Sequence, residues 1–273
     1  MPVDLHVHTN ASDGTEEPGL VVLKAAGMGL EAVAITDHET VDGILPALEA
    51  GRKLSIEVVP GVELSTEEDR KEIHLLGYFI DFCCSELNAR LEQLRAHRAE
   101  RALKMIRNLK EMGIPLPPES VFVEAGRAAP GRPHIARALV KEGFAANLGE
   151  AFDRYLRKDS PAYVPRFKYP PLEAVQLIVR AGGVPVLAHP GLAGCDDLVP
   201  GLVKAGLMGL EVYYPAHSPS QVEHYLMLCR QYGLIPTGGS DYHGPGQGDH
   251  GRLAAATAPY SVLRRLREAA GSL

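Results

Sequence analysis

Short apolar segments of β-strand character alternate along this chain with segments of helical periodicity, and this alternation limits the possible folds more than any other feature. The strand-like segments are residues 3–7, 32–35, 57–62, 73–79, 184–188, 209–213 and 234–237. The helical patterns between them are residues 18–28, 41–53, 172–181, 200–205 and 220–232. Such alternation is typical of βα units that build a parallel sheet. We predict an α/β fold, namely a barrel that is distorted or one unit short of eight.

The alternation breaks between residues 82 and 170. Residues 85–113 carry a long helical pattern whose apolar stripe includes Leu87, Leu91 and Leu94. Shorter helices are predicted near residues 135–141 and 148–156, before the proline-rich segment SPAYVPRFKYPP. We therefore predict a first barrel part (1–81), a helical insertion (82–170) and a second barrel part (171–273).

The net charge of −6 is distributed unevenly along the chain. Residues 83–170 hold 16 basic and 10 acidic side chains, which leaves 12 basic and 24 acidic side chains for the remainder. A basic insertion beside an acidic barrel suits an anionic substrate. Within the insertion, the segment RAHRAERALKMIRNLK is more simply interpreted as the solvated face of a long helix.

Several classes of protein are not expected. The first residues, MPVDLHVHT, lack the pattern of a signal peptide, and no apolar run is long enough to cross a bilayer. Cys83, Cys84, Cys195 and Cys229 have no framework spacing, so we predict reduced thiols and a cytoplasmic protein. Net acidity and the lack of a groove-reading motif argue against duplex DNA as a partner. The choice between monomer and homo-oligomer stays open.

Histidine, aspartate and glutamate residues stand at the ends of most strand-like segments, where α/β barrels and sheets place their active sites. In DLHVHT the two histidines are two residues apart and share one face of a strand. The motifs ASDGT, ITDHET, GVELS, EIHLLGY, LAHPG and GSDYHG supply the other candidates. The full set is His6, His8, Asp13, His38, Glu63, His74, His189, Asp241 and His243.

The size of this set predicts more than one metal ion. A closed zinc site uses four protein ligands and a catalytic site uses three. Nine candidates therefore predict two or three clustered divalent ions, an arrangement suited to hydrolysis of phosphate esters. Mixed imidazole and carboxylate ligation suits Mn²⁺, Fe²⁺ or Zn²⁺. Taken singly, Asp13 is equally typical of a turn and His74 of a buried core, so the prediction depends on recurrence at strand ends.

The remaining histidines lack a position at a strand end. Those interpreted as solvated or local are His97, His217, His224 and His250. His134 differs because Arg132 and Arg137 flank it near a predicted helix start, and helix N-termini and arginines both bind phosphate. Asp4 and Asp37 are the candidates to orient the metal-binding histidines.

Together these strand-end motifs resemble those of the polymerase and histidinol phosphatase (PHP) family, over residues 2–81 and 171–244. The resemblance implies a distorted (β/α)₇ TIM-like barrel with a trinuclear metal site. The implied ligands of the first ion are His6, His8, Glu63 and Asp241. Those of the second ion are Glu63, His74 and His189, and those of the third are Asp13, His38 and His243. It also implies that a metal-bound hydroxide, held by Glu63, Asp241 and His189, attacks phosphorus.

The insertion carries a second resemblance. Its segments GRPHIARALV, LGEAFDRYL and AYVPR-x-K are similar to those of the PHP branch that removes the 3′-phosphate from nucleoside 3′,5′-bisphosphates and trims short RNA from the 5′ end. The implied partner is therefore a small anionic phosphate ester, a nucleotide or short RNA. The residues that this resemblance assigns to substrate phosphates are Arg132, His134, Lys168, Arg137 and Arg166.

Three other interpretations stay open. A histidinol-phosphate phosphatase would use the same barrel and metals, although a basic insertion would repel the amine of that substrate. An amidohydrolase also begins with H-x-H on the first strand, but that class usually places a metal-bridging lysine where this chain offers Glu63. A non-catalytic metal-binding module is the third, and the intact ligand set argues against it.

Overall fold

The computed structural model describes residues 2–245 and 252–271, and its centre is one eight-stranded sheet with the order β7-β6-β5-β4-β3-β2-β1-β8. The strands are β1 (Pro2–Val7), β2 (Ala32–Ile35), β3 (Glu57–Glu68), β4 (Lys71–Tyr78), β5 (Val184–Leu187), β6 (Gly209–Tyr213), β7 (Ile235–Gly238) and β8 (Ala258–Pro259). The backbone N–H of His8 donates to the carbonyl oxygen of Tyr242, just after β7, at 2.8 Å. This contact brings the two ends of the sheet together, and the predicted distorted barrel is confirmed.

Helices surround this barrel and form the insertion. They are α1 (Pro18–Gly27), α2 (Ile44–Leu54), α3 (Ser85–Glu111), α4 (Pro118–Ala125), α5 (Arg132–Lys141), α6 (Leu148–Ala151), α7 (Pro171–Arg180), α8 (Pro190–Ala193), α9 (Val199–Ala205), α10 (Pro219–Tyr232) and α11 (Tyr260–Ala270). Many begin with proline in the first turn, where its missing N–H costs no hydrogen bond. In α10 the Ser218 side chain caps the N-terminus, and Gly233 ends the helix at φ +68°.

The sheet is not parallel throughout, so the predicted parallel sheet is wrong at one strand. β4 runs antiparallel to both β3 and β5. Only Asp69 and Arg70 join β3 to β4, and both have positive φ angles, 47° and 65°. A two-residue turn of this geometry joins antiparallel strands, whereas a parallel connection needs a dozen or more residues. The consequence is that β4 presents residues of its amino-terminal half, Glu72 and His74, to the site, and not residues at its carboxyl end.

The long helix α3 connects the insertion to the barrel. Its first half packs into the barrel core through Leu87, Leu91 and Leu94. Its second half contributes Met105 and Leu109 to a separate apolar cluster with α4, α5 and the turn after α6. Because one helix contributes to both cores, the insertion is held at a defined place over the barrel. The proposed three-part division of the chain stays a prediction.

The C-terminal segment packs against the first strand of the barrel. Val262, Leu263 and Leu266 of α11 are buried in the same cluster as Val3 and Leu5 of β1. β8, which was not predicted, pairs antiparallel with β1. The C-terminal segment therefore covers β1.

All four cysteines are free thiols. Among residues 2–245 and 252–271, no helix combines the length and apolar character that crossing a membrane requires.

Candidate metal centre

The end of β1, the middle of β3 and the segment after β7 bring four of the predicted ligands into contact. The Nε2 atoms of His6 and His8 lie 3.1 Å apart, and each is 3.1 to 3.3 Å from Oε2 of Glu63 and from Oδ1 of Asp241. All four residues are buried. Four side chains with this geometry are arranged as the donors of one cation are.

Glu63 also faces a second group of histidines. Its Oε1 atom lies 2.8 Å from Nδ1 of His74 and 3.3 Å from Nε2 of His189. Its Oε2 atom is 3.3 Å from Nδ1 of His38. A third group surrounds Asp13, whose Oδ1 is 3.3 Å from Nε2 of His243 and whose Oδ2 is 4.0 Å from Nε2 of His38. The structure thus brings all nine candidates together, with Glu63 between the first and second groups.

Several of these buried atoms have no hydrogen-bond partner within the described part of the chain. They are Nδ1 of His8, Oδ1 of Asp13, Nδ1 of His38, Oε2 of Glu63 and Nδ1 of His189. Leaving buried polar atoms unsatisfied costs free energy, and native proteins rarely do so. Two pairs of these atoms face each other: Nδ1 of His38 is 3.3 Å from Oε2 of Glu63, and Nδ1 of His8 is 3.9 Å from Oδ1 of Asp13. Unsatisfied imidazole nitrogens beside carboxylate oxygens fit divalent cations, and the residues present therefore suit the metal that the sequence implies.

Burial and mutual charge shift the pKa values of this cluster in opposite directions. Burial lowers the pKa of His38 to about 3. Burial opposes ionisation of Glu63, yet the surrounding histidines, His38 and His6 foremost, hold its pKa well below its usual range. Burial would also lower the pKa of His8, but the nearby carboxylates of Asp241 and Glu63 raise it to about 10. The Glu63 carboxylate is therefore ionised, which is the state that cation binding requires of it.

The residue that orients His6 was not found from the sequence. Nδ1–H of His6 donates to Oε1 of Glu211 at 2.9 Å, and Oε2 of Glu211 accepts the backbone N–H of His189 at 2.8 Å. Asp4 instead accepts backbone N–H groups, including that of Ser240 at 2.9 Å. Asp37 likewise binds the loop after β1, by accepting the Thr9 N–H at 2.7 Å. The interpretation of Asp4 and Asp37 as the orienting groups is therefore wrong, because both carboxylates hold backbone segments.

β7 passes unusually close to β1 beside His6. A Cβ atom added at Gly239 would lie 2.4 Å from both N and Cβ of His6. We expect Gly239→Ala to destabilise the fold by about 1–3 kcal/mol through overpacking. For a chain of this size that lowers the melting temperature by at least about 2 °C. Thermal unfolding measures it, with Gly201→Ala as the control, since a Cβ there meets nothing within 4 Å. A melting temperature of Gly239→Ala equal to that of the wild-type protein would contradict the close approach of Gly239 to His6.

A cavity above the cluster is lined by four arginines of the insertion, Arg98, Arg101, Arg132 and Arg166, together with Glu72 of β4. Nη2 of Arg98 donates to Oδ2 of Asp13 at 2.9 Å, and Nη1 of Arg98 donates to Glu39. Burial opposes ionisation of Glu39, but the charge of Arg98 lowers its pKa to about 2. The interpretation of this stretch of α3 as a solvated face is therefore wrong for Arg98 and Arg101, which are turned into the cavity, whereas Lys104, Arg107 and Lys110 are exposed as expected.

Comparison with known proteins connects this geometry to a family. The family model described as PHP domain matches residues 4–116. The chain is 34% identical over 249 residues to the phosphoribosyl 1,2-cyclic phosphate 1,2-diphosphodiesterase of Eggerthella lenta, covering 89% of this chain and 95% of that protein. It is 33% identical over 256 residues to the 3′,5′-nucleoside bisphosphate phosphatase of Chromobacterium violaceum, covering 90% of this chain and 88% of that protein. This chain belongs to the PHP family.

Two further comparisons cover most of this chain. The 5′-3′ exoribonuclease Rnm of Escherichia coli is 34% identical over 249 residues, covering 89% of this chain and 85% of that protein. A structure from Bifidobacterium adolescentis, named as a metal-dependent phosphoesterase, superposes with a TM-score of 0.91 at 31% identity, covering 97% of this chain and 94% of the other. The chain is accordingly a metal-dependent phosphoesterase of the PHP type.

The structure separates the predicted phosphate-binding residues of this PHP protein into two groups. Arg132 and Arg166 line the cavity over the cluster. Lys168 is exposed and Arg137 lines a neighbouring cavity, where its Nη1 donates to the Asp13 carbonyl oxygen at 3.2 Å. His134 is buried, and its Nδ1 accepts the N–H of Gly131 at the start of α5 at 2.9 Å. Substrate roles for all five residues stay predictions.

The other histidines have local surroundings, as interpreted. The ring of His97 stacks on Phe167 with centroids 4.0 Å apart, and Nε2–H of His224 donates to Asp196 at 2.6 Å. His217 is buried, and its Nδ1–H donates to the carbonyl oxygen of Val212 at 2.9 Å. His250 lies outside the described residues.

Proposed function

We propose that this PHP phosphoesterase hydrolyses phosphate esters of nucleotides: it removes the 3′-phosphate, a monoester, of nucleoside 3′,5′-bisphosphates, and it trims short 5′-phosphorylated RNA by cleaving phosphodiester bonds. The observation that supports it best is the position of four arginines directly beside the clustered histidines and carboxylates in one cavity. Such a cavity can hold one phosphate at the cations and a second phosphate at the arginines. A substrate that carries both phosphates on one nucleoside satisfies both sets of groups.

The proposed cation ligands are the nine rim residues, for two or three divalent ions. His6, His8, Glu63 and Asp241 form the first set, and the second centres on Glu63, with His74 and His189. Asp13, His38 and His243 form the third. Bound Mn²⁺, Fe²⁺ or Zn²⁺ would lower the pKa of water and polarise a phosphoryl oxygen. The chain's own part is to hold these donors in fixed positions, to exclude bulk water and to orient the ester.

The arginines supply the proposed specificity. Arg132 and Arg166 each donate to Glu72, and they line the cavity beside the metal candidates. Arg–phosphate contacts are charge-assisted and often bidentate, so they position an anion as well as attract it. A histidinol substrate would place its amine among these positive charges, which disfavours that alternative. Binding energy from the phosphate that does not react can position the one that does.

The test is hydrolysis of a panel of substrates by the metal-replete protein, measured as phosphate release for the monoesters, as mononucleotide release for RNA and as ring opening for the cyclic ester. The panel contains a nucleoside 3′,5′-bisphosphate, the matching 5′-monophosphate, short 5′-phosphorylated RNA, a ribose 1,2-cyclic phosphate and histidinol phosphate. The bisphosphate should exceed the 5′-monophosphate in kcat/KM by at least about tenfold, which requires only ~1.4 kcal/mol. Phosphorus NMR should show the 5′-monophosphate as product. A preference for histidinol phosphate or for the cyclic ester would overturn the nucleotide assignment.

Glu211 offers a separate check on the proposed first ion. Its carboxylate receives Nδ1–H of His6 and so leaves Nε2 of that ring facing Glu63 and Asp241. Groups that orient metal-binding histidines typically contribute 10–100-fold to metal affinity. We therefore expect Glu211→Gln to lower the affinity for the most tightly bound ion by at least about tenfold, measured by competition with a chelator. Unchanged metal affinity in a folded variant would show that His6 needs no such partner.

A further inference from the structure

Glu72 contacts both the proposed metal ligands and the proposed phosphate-binding groups. Its Oε1 atom accepts Nε2–H of His74 at 3.0 Å, while Nδ1 of the same ring faces Glu63 at 2.8 Å. Oε2 of Glu72 accepts Nη2–H of Arg132 at 3.0 Å, and Oε1 also accepts from Nη2 of Arg166. One carboxylate on β4 therefore binds a ring of the metal cluster and two guanidinium groups of the insertion.

The arginines around Glu72 carry more positive charge than it neutralises. Arg101 is buried beside them, and its Nε–H donates to the carbonyl oxygen of Val164 at 2.6 Å. Burial, together with the charges of Arg166 and Arg132, lowers the pKa of Arg101. Among the described residues, Nη2 of Arg101 and Nε of Arg166 are buried atoms without a hydrogen-bond partner. Unsatisfied cationic donors in a cavity indicate a site for a further anion.

We infer that Glu72 is a positioning residue that links cation binding at His74 to anion binding at Arg101, Arg132 and Arg166. This inference rests on the proposed function, since it takes His74 as a metal ligand and the arginines as phosphate ligands. A cation on Nδ1 of His74 fixes the ring, the ring fixes Glu72, and Glu72 fixes two of the arginines. The metal and the remote phosphate of the substrate then raise each other's affinity.

The direction of this coupling follows from charge and from ordering. A cation at Nδ1 polarises the imidazole, so Nε2–H attracts the carboxylate of Glu72 more strongly. Glu72 is then held in one position, from which it accepts hydrogen bonds from Arg132 and Arg166 and keeps both arginines in place for phosphate. Arginines that are already ordered also lose less conformational entropy when the anion binds. Coupling between two sites is reciprocal and typically amounts to 5–150-fold in affinity.

The experiment measures binding, without turnover. The affinity for adenosine 5′-monophosphate, which carries only the non-reacting phosphate, is measured by calorimetry for the metal-free and the Mn²⁺-loaded protein at one pH. We expect the metal-loaded wild type to bind it more tightly, and the ratio of the two affinities to fall at least about fivefold in Glu72→Gln. Glu72→Asp keeps the charge but is too short to hold both partners, so its ratio should fall as well. Direct attraction between Mn²⁺ and the nucleotide is present in every variant and does not affect this comparison.

Glu86→Gln is the matched control. Glu86 also pairs with an arginine, Arg180, but both side chains are about half exposed and neither lines the cavity. Its affinity ratio should equal that of the wild type. The same ratio in wild type, Glu72→Gln and Glu72→Asp would overturn the coupling, and so would failure of the wild type to bind the nucleotide in either state. The substrate panel tests the proposed function independently: hydrolysis of no phosphate ester there would refute that function, whatever the binding ratios.

Discussion

Glu63→Gln is expected to lose both metal and activity, with the largest effect of any single substitution in this protein. Both oxygens of the Glu63 carboxylate lie within 3.3 Å of ring nitrogens, in two different groups of proposed ligands. A neutral amide bridges cations poorly because it lacks a second anionic oxygen. Turnover should fall by at least about 100-fold, since residues that only orient metal ligands already contribute 10–100-fold. Elemental analysis and phosphate release measure the two losses.

The control for this variant is Glu68→Gln, near the end of the same strand and away from the ligand groups. It should bind as many ions as the wild type and retain its activity. At most one ion per chain in metal-replete wild type would contradict the shared role of Glu63. Full metal occupancy in Glu63→Gln would contradict it equally.

Arg132→Ala is expected to impair binding of a nucleoside 3′,5′-bisphosphate far more than binding of p-nitrophenyl phosphate. Arg132 lines the cavity and belongs, by our proposal, to the phosphate that does not react. A hydrogen bond to a charged group contributes roughly 1.5–3 kcal/mol, so KM for the bisphosphate should rise at least about tenfold. The small ester lacks the second phosphate, and its KM should change little. Steady-state kinetics on the two substrates measure the difference.

Arg154→Ala is the matched control for Arg132→Ala. Arg154 also belongs to the insertion, but it is exposed and pairs with Glu150. Its removal should change neither KM. Equal losses on both substrates in Arg132→Ala would place this residue at the reacting phosphate.

Lys168→Ala then decides whether the exposed lysine takes part: a rise in KM for the bisphosphate alone would support the role that its motif implies.

The positions of most strands along the chain, and the residues at their ends, were predictable from the sequence because both depend on local patterns. Apolar runs of four to six residues form strands when they alternate with helices, and β1, β2, β5 and β6 lie within two residues of the predicted bounds. A polar residue just after such a run reaches the same end of the barrel as its counterparts on other strands. His6, His8 and His38 could therefore be placed together before any long-range contact was known.

The tertiary structure alone decided which other charged groups reach the site. Arg98 and Arg101 belong to a helix whose sequence is as polar as a solvated surface, and only the packing of α3 over the barrel turns them inward. Glu211 and Glu72 resemble ordinary strand residues in the sequence. They acquire roles because β6 lies beside β5, and because the two-residue turn before β4 makes that strand antiparallel. Local sequence determines where a strand ends and which side chains it carries, whereas burial of apolar surface between distant segments determines which charges meet. The proposed coupling through Glu72 depends on the second of these alone.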